Sequence, residues 1–424
     1  MLKPLSAALL ILAAGPMLAQ EEPGKPQTDA ESPYDNVQVL ARAMQLIRQD
    51  YVNDKKVSYR DLTYSALRGM LATLDPHSQF MEPTDFQDMQ EDTRSEFGGL
   101  GVVVTMEDGV LTVVNPMEDT PGAEAGIKPG DRILRINGSS TENLTIAQAI
   151  EKLRGDIGEK VTLTIQRPST KEIKDYTLTR VTIKVRSVKD AQILPHKEGD
   201  PKIGYARITQ FNEPTASELA KSLDRLEKEG MQALILDLRY NPGGLLSSAV
   251  DVCGLFVPHG TKVVSTEGRT PGREYRTTAR FGKQRTYPVV VLANFASASG
   301  SEVVAGALKD LNRAVIVGET TFGKGSVQSV ISLPDGSALR LTTQKYYTPS
   351  KQVIHEVGVS PNVRATLTQQ QEYALLESRR NTDPKPLSIT DDPQLSRAID
   401  ILRGTLIFTE RRLPTKAQPA GRKS

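Results

Sequence analysis

The stretch YPVVVLANFASASGSEVVAGALKDL, Tyr287–Leu311, joins an apolar run, a polar turn and a second apolar run. The first run predicts a buried strand, and the spacing after Ser301 predicts a helix. The stretch QALILDLRYNPGGLLSSAVDVCGLF, residues 232–256, has the same order of strand, Gly-rich turn and helix. Alternation of strands and helices predicts a mixed α/β fold with a layered core.

The same alternation extends on both sides of these two units. KIGYARITQF (202–211) predicts a strand, and ASELAKSLDRLEKEGM (216–231) predicts a helix that stops at Gly230. We assign residues 183–385 to this core. Residues 386–424 predict one helix and then a disordered tail.

The N-terminal part of the chain has a different character. Residues 1–19 have the short basic start, apolar stretch and small residue of a signal peptide, and residues 20–33 are a polar linker. We therefore expect a secreted or periplasmic protein. An uncleaved membrane anchor stays open because Met17 is a poor residue before a cleavage site. Residues 34–94 predict a helical region, whose apolar stripe serves packing or an oligomer contact.

Between residues 95 and 182 short β-branched runs alternate with Gly, Pro and Asp turns, which predicts a compact β-rich module. This module resembles a PDZ domain. The resemblance rests on Gly99-Leu100-Gly101-Val102 and on AGIKPGD, residues 125–131. It implies that the glycine loop points backbone N–H groups at a peptide carboxylate while the peptide adds as a strand. For the loop alone, glycines that serve only a tight turn are the stronger interpretation.

Composition excludes several classes of function. A net charge of +2 gives no strong attraction to nucleic acid, and the single cysteine cannot form an intrachain disulfide. The four histidines are scattered, so no metal site and no cofactor are predicted. A serine nucleophile in this chain would therefore need a base other than histidine, and a neutral lysine amine is the main alternative.

Local pattern leaves the role of Ser299 open. It lies at a strand-to-helix junction, where a nucleophile could sit, but Ser299 and Glu302 also match a capping box. Lys324 lies between two glycines with apolar neighbours that would lower its pKa by desolvation. Gln328 follows four residues later and could orient the amine. A solvated turn lysine is the alternative.

Six blocks of sequence, in this order and spacing, resemble the carboxyl-terminal processing peptidases, which are secreted PDZ-containing serine proteases. The blocks are LDPHS (74–78), FGGLG (97–101), LDLRYNPGG (236–244), SASGSE (297–302), VGETTFGKGSVQ (317–328) and YYTPS (346–350). The resemblance implies a Ser–Lys dyad in which Ser299 is the nucleophile, Lys324 the base and Gln328 the residue that orients the base.

The same resemblance implies an oxyanion hole made by backbone N–H groups of Gly243, Gly244 and Gly300. Gly300 replaces the alanine that is usual in the family. Lys351 and Asn362 stand where glycine and aspartate are common. These departures affect local turns more than the predicted activity.

Together these features predict a secreted serine endopeptidase that captures the C-terminus of a protein or peptide substrate in its PDZ domain. Arg154 is a candidate sensor between the bound peptide and the core. We expect a homo-oligomer and consider an activating adaptor protein as a further partner. The alternative is a non-catalytic PDZ adaptor or scaffold on an inactive protease fold.

Overall fold

The computed structural model describes residues 33–281, 284–380 and 391–412. The predicted signal peptide, nearly all of the linker and the predicted disordered tail lie outside the described residues. By its contacts the chain divides into a unit up to Leu67 and a larger unit from Arg68. In the part of the chain that is described, no helix is long and apolar enough to cross a membrane.

The first unit is helical, as the sequence predicts. It contains α1 (Pro33–Asp50), a 3-10 turn (Asp54–Lys56) and the start of α2 (Tyr59–Ala72). The apolar side chains of α1, including Val37 and Val39, are exposed. The predicted packing role is therefore not seen for the α1 part of the stripe, whereas Leu71 on α2 is buried; an oligomer contact stays a prediction.

The second unit begins with the end of α2, followed by strand β1 (Gln79–Met81) and helix α3 (Pro83–Arg94). The prediction of a wholly helical region up to residue 94 is wrong at β1. This strand pairs with a distant strand of the core, because Gln79 stands opposite Arg340 in an antiparallel ladder. Tertiary pairing has overridden local helical spacing at this point.

Residues 95–182 form the predicted β-rich module. Its elements, in chain order, are β2 (Glu96–Gly99), β3 (Val102–Glu107), β4 (Val110–Pro116), α4 (Pro121–Glu124), β5 (Arg132–Ile136), β6 (Ser139–Ser140), α5 (Ile146–Leu153), β7 (Lys160–Arg167) and β8 (Glu172–Thr179). The sheet order is β3-β4-β5-β7-β8, with β6 beside β5. Next, β9 (Val181–Lys184) returns to pair with β2 in a two-stranded sheet.

The core carries the remaining elements. In chain order they are β10 (Val188–Ile193), β11 (Ile203–Ile208), α6 (Thr215–Lys228), β12 (Ala233–Asp237), α7 (Leu246–Gly254), β13 (Lys262–Gly268), β14 (Arg273–Arg276), β15 (Val289–Ala293), α8 (Gly300–Asp310), β16 (Val315–Gly318), β17 (Ser326–Ser332), β18 (Ala338–Tyr347), β19 (Val363–Arg364), α9 (Gln369–Arg380) and α10 (Pro393–Arg412).

The main sheet has the order β10-β11-β12-β15-β16-β19 and is parallel except for its edge strand β10. Both faces are covered. Leu234 and Leu236 of β12 belong to the apolar cluster that includes α6, α7 and α8, while Ala233 and Ile235 belong to the cluster that includes α10. Burial on both faces explains why the strand sequences are continuously apolar.

A second, antiparallel sheet has the order β1-β18-β13-β14, with β17 also paired to β18. It brings three distant parts of the sequence together. Thr342 of β18 bonds both Ser78, the last residue of the block Leu74–Ser78, and Gln328 on β17, so the block and Gln328 meet at one residue.

Candidate active site

Three loops leave the carboxyl ends of neighbouring parallel strands. They follow β12, β15 and β16, which are adjacent in the main sheet. The loop after β12 carries Gly243 and Gly244, the loop after β15 carries Ser299, and the loop after β16 carries Lys324. In open α/β sheets this edge is where ligands bind. The topology therefore brings the predicted site residues together.

The three alternating serines have different surroundings. Ser297 and Ser301 are fully buried, and their hydroxyls donate to the carbonyls of Leu238 (2.8 Å) and Asn241 (2.9 Å). Ser299 is only partly buried and has φ 53° and ψ −111°. A non-glycine residue in this region is strained, and such strain concentrates at functional sites. Among the described residues, the hydroxyl of Ser299 has no hydrogen-bond partner, unlike those of Ser297 and Ser301.

Ser299 and Glu302 have the geometry of a capping box at the start of α8. One hydrogen bond of the box runs from the Ser299 N–H to Glu302 Oε2 (2.8 Å), whereas the Glu302 N–H donates to the Ser299 backbone carbonyl (2.9 Å) and not to its hydroxyl. The two roles that the sequence left open are therefore divided within one turn. Glu302 serves the cap, and the hydroxyl of Ser299 stays available beside the helix N-terminus, where negative charge is stabilised.

Glu302 is fully buried and also holds the loop after β16. Its Oε1 accepts hydrogen bonds from Thr321 Oγ1 and the Gly323 N–H, both at 2.6 Å. Its Oε2, which binds the Ser299 N–H, accepts a further bond from the Lys324 N–H (2.8 Å). Burial raises the pKa of Glu302, while these four donors act in the opposite direction. One carboxylate oxygen thus holds the backbones of Ser299 and Lys324 side by side.

Lys324 lies in an irregular segment just before β17, so it belongs neither to a helix nor to a strand. Burial lowers the pKa of its amine, and the positive charge of Arg340 lowers it further, whereas Glu302 raises it. A depressed pKa makes the neutral amine more accessible, which a general base requires. Among the described residues, no hydrogen bond joins Lys324 Nζ to Ser299 Oγ.

Gln328 lies on β17 directly after a register shift at Val327. Its side chain donates to Ser326 Oγ (3.1 Å) and Thr342 Oγ1 (3.0 Å), and Thr342 Oγ1 also donates to Gln328 Oε1 (3.2 Å). The amide is therefore fixed by its own sheet and is not bonded to Lys324 in this structure.

The block Leu74–Ser78 reaches the same place, which the sequence analysis did not anticipate. Ser78 Oγ donates to Asp75 Oδ2 (2.7 Å) and accepts the Thr342 N–H (3.1 Å). The charge of Lys324 contributes to a lowered pKa of His77, after burial as the first cause. The block was recognised as a shared motif, but its spacing along the chain gave no signal of contact with a strand more than 250 residues away.

The two glycines after β12 differ in what their N–H groups do. The Gly243 N–H donates to Asn241 Oδ1 (2.8 Å), so it could act on a substrate only if that bond opened. Within the described chain, the N–H groups of Gly244 and Gly300 have no intramolecular acceptor. These two are the free donors that an oxyanion hole requires.

Asn241 is a fully buried residue that the sequence analysis did not single out. Its Nδ2 donates to the Ile208 carbonyl (2.9 Å), and its own carbonyl accepts the Ala298 N–H (3.0 Å) as well as the Ser301 hydroxyl. It therefore joins the turn after β12 to the turn after β15. A Cβ added to Gly243 would lie 2.7 Å from the Ser299 Cβ, which shows how closely the two turns pack.

A separate pocket of about 330 Å³ lies at the β-rich module. The predicted loop residues Gly99, Leu100, Gly101 and Val102 all line it, as does Arg154. The Leu100 and Gly101 carbonyls accept N–H groups of Gly122 (2.9 Å) and Met117 (2.7 Å). By contrast, the N–H groups of Leu100 and Gly101 have no acceptor within the described part of the chain.

Arg154 follows α5 directly and lies between the pocket and α3. Its guanidinium stacks over the Phe97 ring at 4.2 Å and lies 4.0 Å from Asp92 on α3. Its Nε is buried without a hydrogen-bond partner. The predicted sensor is therefore placed where a bound peptide could reach it.

Comparison with known proteins is consistent with this arrangement. Residues 202–365 match the model of peptidase family S41, and residues 112–167 match that of a PDZ domain. The chain is 36% identical to a carboxy-terminal-processing protease of Bartonella bacilliformis, over 95% of this chain and 94% of that protein. It is 37% identical to a carboxyl-terminal-processing protease of Synechocystis sp., over 85% and 81% of the two chains.

Among solved structures, a putative S41 protease from Bacteroides fragilis is similar in fold. The TM-score is 0.50, the sequence identity is 17%, and the match covers 85% of this chain and 97% of the other.

Proposed function

Because the chain belongs to the carboxy-terminal-processing proteases of peptidase family S41, we propose that it cleaves peptide bonds with Ser299 as nucleophile and Lys324 as general base. The observation that carries this proposal is the carboxylate of Glu302. It binds the backbone N–H of both residues through one oxygen, so the nucleophile and the base are held by a single buried group.

The chemistry follows from these positions. Ser299 Oγ attacks the carbonyl carbon of the substrate while neutral Lys324 Nζ accepts the hydroxyl proton. The Gly244 and Gly300 N–H groups donate to the oxyanion that forms. When the C–N bond breaks, the Lys324 ammonium returns the proton to the leaving amine. Water then attacks the acyl-enzyme, Lys324 takes its proton, and Ser299 is released with the proton restored.

The distance between base and nucleophile changes in this proposal. Catalytic hydrogen bonds are often long before substrate binds and shorten in the complex. We propose that substrate brings Lys324 Nζ onto Ser299 Oγ and that Gln328 orients the amine at that stage. To bond the Lys324 amine, the Gln328 side chain must break its hydrogen bond to Thr342 or to Ser326.

The β-rich module is proposed to capture the C-terminus of the substrate. Two unbonded N–H groups, of Leu100 and Gly101, lie at an apolar pocket. An N–H without an acceptor in the described chain, at an otherwise apolar pocket, can donate to a ligand carboxylate, which supports one at this position. Arg154 beside the pocket would sense that ligand.

Export, assembly and activation belong to the same proposal. The N-terminal sequence supports a secreted or periplasmic location, which cell fractionation would test. The exposed apolar side chains of α1 support a homo-oligomer, and sedimentation of a variant lacking residues 34–70 would test this. The absence of a Ser299–Lys324 hydrogen bond among the described residues supports a resting state that an activating adaptor protein could switch.

The decisive experiment uses a peptide with an apolar residue and a free carboxylate at its C-terminus. We expect cleavage by the wild-type protein to increase with pH between about 6 and 9, because the amine must be neutral to act as a base. Lys324→Ala should abolish cleavage. Lys324→Arg should also be inactive, since a guanidinium keeps its proton. Peptide binding without cleavage at any pH would instead favour the non-catalytic adaptor.

A further inference from the structure

The peptide pocket is not built by the β-rich module alone. Val185, just after β9, and Lys189, on the first strand of the core, line it together with the loop Gly99–Val102 and Arg154. Both side chains are exposed. The pocket is therefore closed at one end by the segment that leads into the protease core.

This segment is fixed to the core. Glu218 Oε2 on α6 accepts three hydrogen bonds from it: the Ser187 N–H (2.9 Å), the Ser187 hydroxyl (2.9 Å) and the Val188 N–H (3.1 Å). The Ser187 hydroxyl also lies 2.8 Å from Thr215 Oγ1. Lys189 thus follows directly after a point where the chain is held rigidly by the core helix.

A β-bulge follows Lys189 directly, while Lys189 itself is paired opposite Arg207. The pairing of β10 with β11 shifts register between Lys189 and Gln192, and Asp190 takes a left-handed φ of 57°. Asp190 binds Arg207 at 2.7 Å, so the neighbouring acid is already occupied.

Lys189 itself has no acidic partner within 4.0 Å in the part of the chain that the structure describes. The charged residues that line the pocket are Arg154, which lies 4.0 Å from Asp92, and Lys189; within the described chain the N–H groups of Leu100 and Gly101 are also unbonded, and all these groups suit an anion. The wall is otherwise apolar, with Val103, Ile150 and Leu153 among its residues. The C-terminal carboxylate of a peptide that ends in apolar residues combines such an anion with such an apolar chain.

We propose that Lys189, supplied by the protease core, binds the C-terminal carboxylate of the peptide held in this pocket and so contributes to selecting free C-termini. This inference rests on the proposed capture of substrate C-termini. It adds that the site is shared between the module and the core, so that a bound peptide touches the core directly.

The test measures peptide binding to full-length Ser299→Ala protein by fluorescence anisotropy. Two labelled peptides of one sequence are compared, one ending in a free carboxylate and one in an amide. We expect the parent protein to bind the carboxylate form more tightly. Adding Lys189→Ala should weaken binding of the carboxylate form about fivefold and leave the amide form unchanged, while Lys189→Arg retains the affinity. The fivefold difference should shrink at high salt.

Lys184→Ala is the matched control, because Lys184 is exposed, pairs with Glu96 at 2.9 Å and does not line the pocket. Equal binding of the carboxylate peptide with and without Lys189→Ala would overturn the role of Lys189 alone. Equal weakening of both peptides would also overturn it, since that indicates packing rather than charge. Equal binding of both peptides by the parent protein would overturn the capture of C-termini itself, and the inference with it.

Discussion

The turns after β12 and β15 occupy equivalent positions in the fold, but different residues adopt positive φ in each. Both connect a buried parallel strand to a helix, and both require backbone with positive φ. The turn after β12 uses Tyr240, Gly243 and Gly244, with φ of 61°, 103° and 140°, whereas the turn after β15 uses Ser299 at φ 53° and ψ −111°, outside the left-handed helical region. Glycine adopts such values at little cost, but serine does not. The difference indicates that a side chain is required at residue 299 despite the strain.

The two turns also differ in how their polar groups are used. The Asn241 side chain accepts the Gly243 N–H and Glu302 accepts the N–H groups of Ser299, Gly323 and Lys324, while the Ser299 hydroxyl and the N–H groups of Gly244 and Gly300 are left free within the described chain. The surrounding backbone is held by hydrogen bonds while the reacting groups are unbonded. This arrangement suits catalysis, since little reorganisation is needed when charge develops.

Among substitutions in the residues around Ser299, the largest loss of activity is expected for Gly243→Ala. The new Cβ would lie 2.7 Å from both the Ala298 carbonyl oxygen and the Ser299 Cβ, so the turn after β15 must move. We expect kcat/KM to fall by about a hundredfold or more, because small displacements of reacting groups are costly. Gly260→Ala is the control: its φ of 78° is also positive, but the space around it is open. Equal losses in the two variants would show that backbone strain, and not contact with Ser299, is responsible.

The next largest effect is expected for Glu302→Gln. A side-chain amide cannot accept all four hydrogen bonds, so the backbones of Ser299 and Lys324 separate. We expect kcat to fall about tenfold to a hundredfold. The lost negative charge should also lower the pKa of Lys324, so the acidic limb of the pH–rate profile moves to lower pH.

Glu319→Gln makes the same change in the same loop and should leave both rate and profile unaltered. A Glu302→Gln protein with wild-type kcat and an unchanged pH–rate profile would contradict the proposal that Glu302 positions Ser299 and Lys324.

A smaller effect, in the opposite direction, is expected for Arg340→Met. The positive charge of Arg340 lowers the pKa of Lys324, and removing it should raise that pKa. Because the neutral amine is the active form, the acidic limb moves to higher pH. The profile of kcat/KM between about pH 6 and 10 measures this, with His77 and Glu302 as the other titratable groups near the amine. Arg269→Met, at an exposed position, is the control. If the acidic limb of the profile does not move in Arg340→Met, the group that titrates in that limb is not Lys324.

The smallest effect concerns stability. Ser299→Gly should be more stable to urea than Ser299→Ala, by about 1 kcal/mol, because only glycine relieves the positive φ. At Ser297, whose φ is not positive, the order of the Gly and Ala variants should be reversed. The same order at both positions would show that residue 299 is not strained.

Much of the core could be predicted from sequence because its signals are local. The continuous apolar runs of β12 and β15 and the helix that follows each are formed where the pattern places them. Strand β1 could not be predicted in this way, since its stability comes from pairing with β18, far away in the chain.

The site was predictable only in part, for the same reason. The sequence alone left Ser299 undecided between cap and nucleophile, and the structure divides these roles through Glu302. The contacts of Asn241 and Ser78 are long-range hydrogen bonds that no spacing rule anticipates. The sequence also carried no signal that the Gly243 N–H, predicted to donate to the oxyanion, donates to Asn241 Oδ1 instead.

The most direct test of the central claim compares the three serines in one assay. We expect Ser299→Ala to lose at least about a thousandfold in kcat/KM on a peptide with a free C-terminus while its unfolding transition stays near that of the wild type. Ser297→Ala and Ser301→Ala should keep activity within about tenfold and lose about 1–3 kcal/mol of stability, since buried hydrogen bonds are removed. An active Ser299→Ala protein, with activity lost at Ser297 or Ser301 in a folded variant, would contradict the account.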